Sequence, residues 1–161
     1  MTIPKIYHLF QDSKVIEGSN YQMTSSWKYW NKGIDIQRWD ENKIQKLLQT
    51  KYRIISKVIK RISDHLVQNS LERYIILRQY GGIYARPELQ CLASIEDLVQ
   101  DKRFTYSDHD QLSCKTDTQE TRRTSKDNMF PSFVALDALE PEWDHFYFKW
   151  IKKRMYHHKT D

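Results

Sequence analysis

Glycine and proline are scarce in this chain, with four of each in 161 residues. That scarcity excludes collagen-like repeats and linker-like low complexity, which need far more of both. Cysteine is rarer still, with only Cys91 and Cys114. Neither belongs to a Cys-x-x-Cys pair, which argues against a structural zinc site. Two isolated thiols suit a reducing compartment and tilt the reading towards the cytoplasm, while a Cys91–Cys114 disulfide stays open. No apolar run approaches the length of a membrane span. The opening Met1-Thr2-Ile3-Pro4-Lys5 lacks the long apolar stretch of a signal peptide. The chain as it stands is expected to be soluble, without a transmembrane segment.

Apolar and aromatic side chains are plentiful: 39% and 13% of residues. That is enough to build a core, so a disordered chain is excluded. The length fits one domain over residues 1–161. The formal net charge is +5. A basic balance suits anionic partners: nucleotide phosphates, nucleic acid or an anionic membrane surface. A solvated surface rich in lysine accounts for the same charge, so the charge selects nothing alone.

Local patterning predicts alternating strands and helices. Ile3 to Phe10 reads as a first strand and Gln11 to Asn20 as a polar loop. Thr24 and Ser25 are candidate N-caps for a short helix carrying Trp27 and Trp30, ended by Gly33. Ile34 to Trp39 alternates apolar and polar, as a half-buried strand does. Asp40 caps a helix with Ile44, Leu47 and Leu48 on one side. Ile54, Ile55, Val58, Ile59 and Ile62 then recur at helical spacing, with Lys57, Lys60 and Arg61 on other faces. Ser63 or Asp64 opens a helix from about His65 to Tyr80, stopped by Gly81-Gly82. Ile83 to Ala85 is a short strand, and Leu89 to Leu92 an extended apolar segment in which Cys91 is a small core residue. Ile95 to Val99 suits one helical turn, and Arg103 to Tyr106 another strand. Residues 107–127 form a long polar loop. Phe130 to Leu136 is apolar again. Pro141 starts a helix whose apolar side is Trp143, Phe146, Tyr147, Trp150, Ile151 and Met155. The alternation favours an α/β architecture.

Two stretches carry a resemblance. The first runs Leu71-Glu72-Arg73-Tyr74-Ile75-Ile76-Leu77-Arg78-Gln79-Tyr80-Gly81-Gly82-Ile83-Tyr84-Ala85, followed by Arg86-Pro87-Glu88-Leu89-Gln90-Cys91-Leu92. The second is the opening Ile3-Pro4-Lys5-Ile6-Tyr7-His8. Between them stand Ser26-Trp27 and Trp39-Asp40. In order and spacing over residues 3–98 this set resembles the sugar-binding region of DXD-motif glycosyltransferases. These are the relatives of the yeast initiating mannosyltransferase, of bacterial capsular transferases and of the large clostridial glucosylating toxins. Asn128 to Ile151 is weakly similar to later segments of the same family. The resemblance implies a GT-A-like fold with a mostly parallel central sheet flanked by helices, here short at its C-terminal end. It also implies a UDP- or GDP-sugar donor and a glycan acceptor.

The resemblance fails where the metal is expected. The family writes Tyr-Ala-Asp-x-Asp where this chain has Tyr84-Ala85-Arg86-Pro87-Glu88. It places Arg-x-Asp where this chain has Gln68-Asn69-Ser70. A diphosphate leaving group needs its developing charge neutralised, and carboxylates do this by holding Mn²⁺ or Mg²⁺. A guanidinium opposes a nearby cation but pairs with a diphosphate in bidentate fashion. By family position, Ser70, Arg73, Arg86, Glu88 and His8 are the candidate donor-binding residues. Glu88 is a weak metal candidate, and no cofactor is expected unless a metal site is rebuilt. No catalytic residue is assigned.

Plainer readings stand beside these. Arg73 can be a surface arginine, Glu88 a solvated charge and His8 a satisfied buried histidine. Tyr74, Leu77 and Tyr80 can pack the helix on the sheet, and Trp27 and Trp39 are core before they are stacking platforms. Asp108-His109-Asp110 and His157-His158 are poor metal candidates, since neighbours in sequence seldom converge on one ion. Three functions follow: a catalytically impaired glycosyltransferase-like binder, an active metal-independent transferase using Arg73 and Arg86, or a basic non-enzymatic adaptor. Nucleic acid is disfavoured, for no recognised binding motif is present.

Overall fold

The computed structural model describes residues 3–10, 17–86, 89–107 and 130–158, with the backbone alone for 17–23 and 155–158. The five strands are β1 (Ile6–Phe10), β2 (Asp35–Trp39), β3 (Gly82–Ala85), β4 (Phe104–Ser107) and β5 (Phe133–Leu136). The helices are α1 (Glu17–Trp30), α2 (Glu41–Lys51), α3 (Arg53–Lys60), α4 (His65–Tyr80), α5 (Glu96–Val99) and α6 (Pro141–His158). The strands form one sheet in the order β2-β1-β3-β5-β4. β1 is parallel to both β2 and β3, whereas β5 runs antiparallel to both β3 and β4. The sheet is therefore mixed, and the mostly parallel expectation holds only for its β2-β1-β3 half.

Alternation along the strands divides the core into two layers. On one face Phe10, Tyr84, Val134 and Leu136 meet α2, α3, α4 and α6 through Leu48, Ile59, Ile76, Leu77, Trp143 and Tyr147. On the other face Tyr7, Leu9, Ile83, Ala85, Phe133 and Ala135 meet Trp27 of α1 together with Leu89, Cys91 and Ile95. Trp27 stacks between Tyr7 and Phe133, with ring centroids 5.0 and 6.5 Å away. It is core, as expected.

The 89–95 segment is held by side chains of α1 and its C-terminal flank, without a ladder. Trp27 Nε1 donates to the Leu89 carbonyl at 3.0 Å. The Cys91 N–H donates to Ser26 Oγ, and the Ile95 N–H to Asn31 Oδ1, both at 2.9 Å. These bonds satisfy backbone groups that the sheet does not reach. Cys91 is a free, buried thiol.

Local signals account for the helix ends. Asp40 accepts from the Lys43 N–H at 2.8 Å, and Asp64 from the Leu66 N–H at 2.9 Å. Asp64, not Ser63, is the cap of α4. α4 stops at Gly81 (φ 64°), and β3 begins at the next residue, Gly82 (φ 98°). This one-residue return needs both glycines. A Cβ at Gly81 would lie 2.6 Å from the Ala138 backbone nitrogen, and one at Gly82 2.6 Å from the Ile6 carbonyl oxygen.

Three expectations are corrected. α1 begins at Glu17 and includes residues 17–20, so Thr24 and Ser25 lie inside it and are not caps. Tyr74 packs chiefly on α6, its ring 4.4 Å from that of Tyr147, while Leu77 and Tyr80 face the sheet side. In α3 the apolar residues do not form one buried side. Ile54, Ile55 and Val58 are exposed while Ser56 and Ile59 are buried. The Ile59 and Ile62 carbonyls accept from Gln68 Nε2 at 3.1 and 2.5 Å, a clasp that fixes the roll of α3 against α4.

Candidate functional site

The chain passes from β1 through α1 to β2 on one face of the sheet. It then returns through α2, α3 and α4 to β3 on the other. The strand order reverses between β1 and β3, and α/β sheets bind ligands beyond the carboxyl ends of the strands at such a point. Here that place lies beyond Phe10 of β1 and Ala85 of β3. Ser107, at the end of β4, and Phe133, at the start of the reversed β5, pair at the same edge.

Arg73 projects from α4 onto this edge. Its guanidinium carbon sits 5.4 Å from the Phe10 ring centroid and 5.5 Å from that of Tyr84. Phe10 and Tyr84 stand edge to face, and Phe130 does the same on Tyr84. The rings hold the guanidinium by cation–π attraction, which restricts a long side chain without neutralising it. Among the described residues no ion pair holds Arg73. Arg86 follows the last residue of β3, half-buried, and its N–H donates to the Ser132 carbonyl at 3.0 Å. Ser132 is fully buried, and its hydroxyl has no hydrogen-bond partner among the described residues.

The remaining candidates fare differently. Ser70 is buried, and its hydroxyl bonds the Tyr147 hydroxyl at 2.7 Å. Burial drives the Tyr147 pKa up, against smaller opposing effects of Ser70 and Arg73. Ser70 therefore seals α4 to α6. His8 is also buried and turned away from the edge, towards the start of β3. Its Nδ1 accepts from Trp39 Nε1 at 3.0 Å, which leaves Nε2 to donate to the Gly81 carbonyl at 2.7 Å. Burial lowers its pKa, outweighing the Gly81 bond and the Asp35 charge. It is the satisfied buried histidine of the plainer reading. Glu88, the Asp108-His109-Asp110 group, Cys114 and most of the polar loop lie outside the described residues. So do the side chains of His157 and His158.

The described residues at this edge do not fit a divalent cation. Where the resemblance asks for a carboxylate after Ala85, Arg86 supplies a fixed positive charge, and Ser70 offers a neutral hydroxyl already engaged. No cluster of three or more His, Cys, Asp or Glu placed to hold a metal occurs among the described residues. The Arg73 guanidinium, held over the two rings, can bind an anion.

Sequence reasoning missed the cluster behind Arg73. Tyr74 Oη donates to Asp144 Oδ1 at 2.5 Å, and Arg78 Nε donates to both oxygens of Asp144 at 2.9 and 3.2 Å. Arg78 and Tyr74 share a face of α4 at helical spacing. That was a readable signal, but their partner lies far along the chain. Ser132 gave no signal at all.

No protein-family model, no characterised protein and no solved structure matches the chain.

Proposed function

We propose that this chain is a glycosyltransferase-like binder of nucleoside-diphosphate sugars. It holds its donor by arginine, without a metal, and transfers sugar inefficiently or not at all. The observation that carries the reading is Arg73, fixed over Phe10 and Tyr84 at the switch-point edge and without an ion pair among the described residues. Arg86 lies at the end of the adjoining strand. A guanidinium pair is matched in charge and geometry to a diphosphate. The rest of the donor face supports a binder over a catalyst, because Ser70 is closed into the core by Tyr147.

The same two arginines support a second reading. Arg73 and Arg86 also suit neutralising a leaving diphosphate, which is the electrostatic task a metal performs in transfer. A metal-independent transferase would then use both.

The test is calorimetric titration of the full chain with UDP- and GDP-sugars, with and without Mn²⁺, followed by a turnover assay. The expected result is binding without metal, abolished in Arg86→Ala and in Arg73→Ala, with little or no transfer. Binding or transfer that requires Mn²⁺ would overturn it. Chelator-resistant turnover lost in Arg86→Ala would select the second reading. No binding to any donor would leave a scaffold without the family's chemistry.

A further inference from the structure

Residues 51–61 contain Lys51, Arg53, Lys57, Lys60 and Arg61 and no acidic residue. Five positive charges in this stretch equal the formal net charge of the whole chain, +5. All five side chains are exposed. Among the described residues this stretch presents the most exposed aliphatic side chain, Ile54 at 81%, with Val58 at 54% and Ile55 at 42%. An eight-residue helix that buries Ser56 while exposing three β-branched aliphatics is rolled roughly a quarter turn from where its apolar arc would bury best. The Gln68 clasp on Ile59 and Ile62 and the Tyr52 Oη bond to Gln79 (2.5 Å) hold it in that roll. The exposure is therefore built into the fold.

We propose that the outer face of α3 is a docking surface for an anionic lipid bilayer. The charge pattern decides the occupant. Arg53, Lys57 and Lys60 flank the Ile54–Val58 ridge along one side of the helix, and Arg61 follows at its end. An aliphatic ridge beside a row of cations suits the boundary between acyl chains and anionic headgroups: the aliphatics insert shallowly and the cations meet phosphate. A stable protein interface needs roughly 20–30 residues a side, and this face offers one short helix. Single-stranded nucleic acid stacks its bases on aromatic rings, which the α3 ridge lacks. No described helix is long and apolar enough to cross a membrane, so the contact is peripheral. The proposal stands independently of the donor-site reading.

The test is co-sedimentation of the full chain with phosphatidylcholine vesicles, with and without phosphatidylserine, at low and high salt. The chain is expected to sediment with the phosphatidylserine vesicles at low salt and to release at high salt. Ile54→Ser/Val58→Ser should weaken binding by about tenfold or more. Lys57→Glu/Lys60→Glu should do the same. All four positions are on the surface, and circular dichroism would confirm that both variants fold. Arg73→Ala should bind vesicles as the parent does, which separates this site from the donor site. Failure to bind phosphatidylserine vesicles at low salt would overturn the proposal. So would binding that is indifferent to the loss of Ile54 and Val58. A concentration-dependent dimer that Ile54→Ser/Val58→Ser disperses would assign the face to a second copy and overturn it as well.

Discussion

Acid should weaken this fold through His8. The imidazole is 1% exposed and sits between two committed partners. Trp39 donates to Nδ1, so a second proton there would set N–H against N–H. Burial holds the native pKa below the ordinary 6.5. The unfolded chain therefore binds the proton first as pH falls. Stability from keeping His8 neutral is fully present above about pH 6.5 and is lost as pH drops below that value. The loss reaches up to about 1.4 kcal/mol per pH unit and levels off at the native pKa. For a domain of this length that corresponds to a fall in Tm of about 3–6 °C per pH unit. The assay is urea denaturation at a series of pH values for the parent and for His8→Gln, which keeps a polar side chain and removes the titration. The parent should lose stability below pH 6.5 more steeply than the variant by that amount. Equal slopes would refute the reasoning, as would an NMR titration showing native His8 protonating at its ordinary value.

Three further outcomes are expected. Gly81→Ala should cost well over about 1 kcal/mol in chemical denaturation, because φ is positive there and the new Cβ meets backbone atoms that cannot move aside. Asp144→Ala should cost about 1–2 kcal/mol, discounted for its partial exposure, and Asp144→Asn less, since an amide still accepts from Arg78 or Tyr74. Ser70→Ala should cost about 1–2 kcal/mol by orphaning the buried Tyr147 hydroxyl, yet leave calorimetric donor affinity unchanged.

What could be read ahead of the structure was local. Asp40 and Asp64 cap the helices they precede because a cap needs only its own next three residues. Gly81 and Gly82 announced a sharp return for the same reason. The start of α1 was hidden, because Glu17 to Asn20 reads as the end of the Gln11–Asn20 loop and Thr24-Ser25 as a cap. The roll of α3 was hidden too, since Gln68 and Gln79 decide it from the next helix. Direction and place of β5 depend on which strand edge is left open, and no residue in Phe133–Leu136 encodes that. Of the candidate site, Arg73 and Ser70 were legible as neighbours on one helical face. That Arg73 faces the strand ends while Ser70 faces Tyr147 follows from α6, residues away. His8 kept its position on the first strand but serves Trp39 and Gly81.

The interior place of β5 bears on how the protein is made. It is the last strand in sequence, yet it lies between β3 and β4. Val134, Leu136, Trp143 and Tyr147 are all fully buried, and they cover the same face as Ile76, Leu77 and Tyr84. Between the synthesis of Ala85 and that of Phe133, β3 has a bare edge and α4 an uncovered flank. At about 5–20 residues per second, that vulnerable interval lasts several seconds. The sheet can close only when β5 and α6 have both emerged.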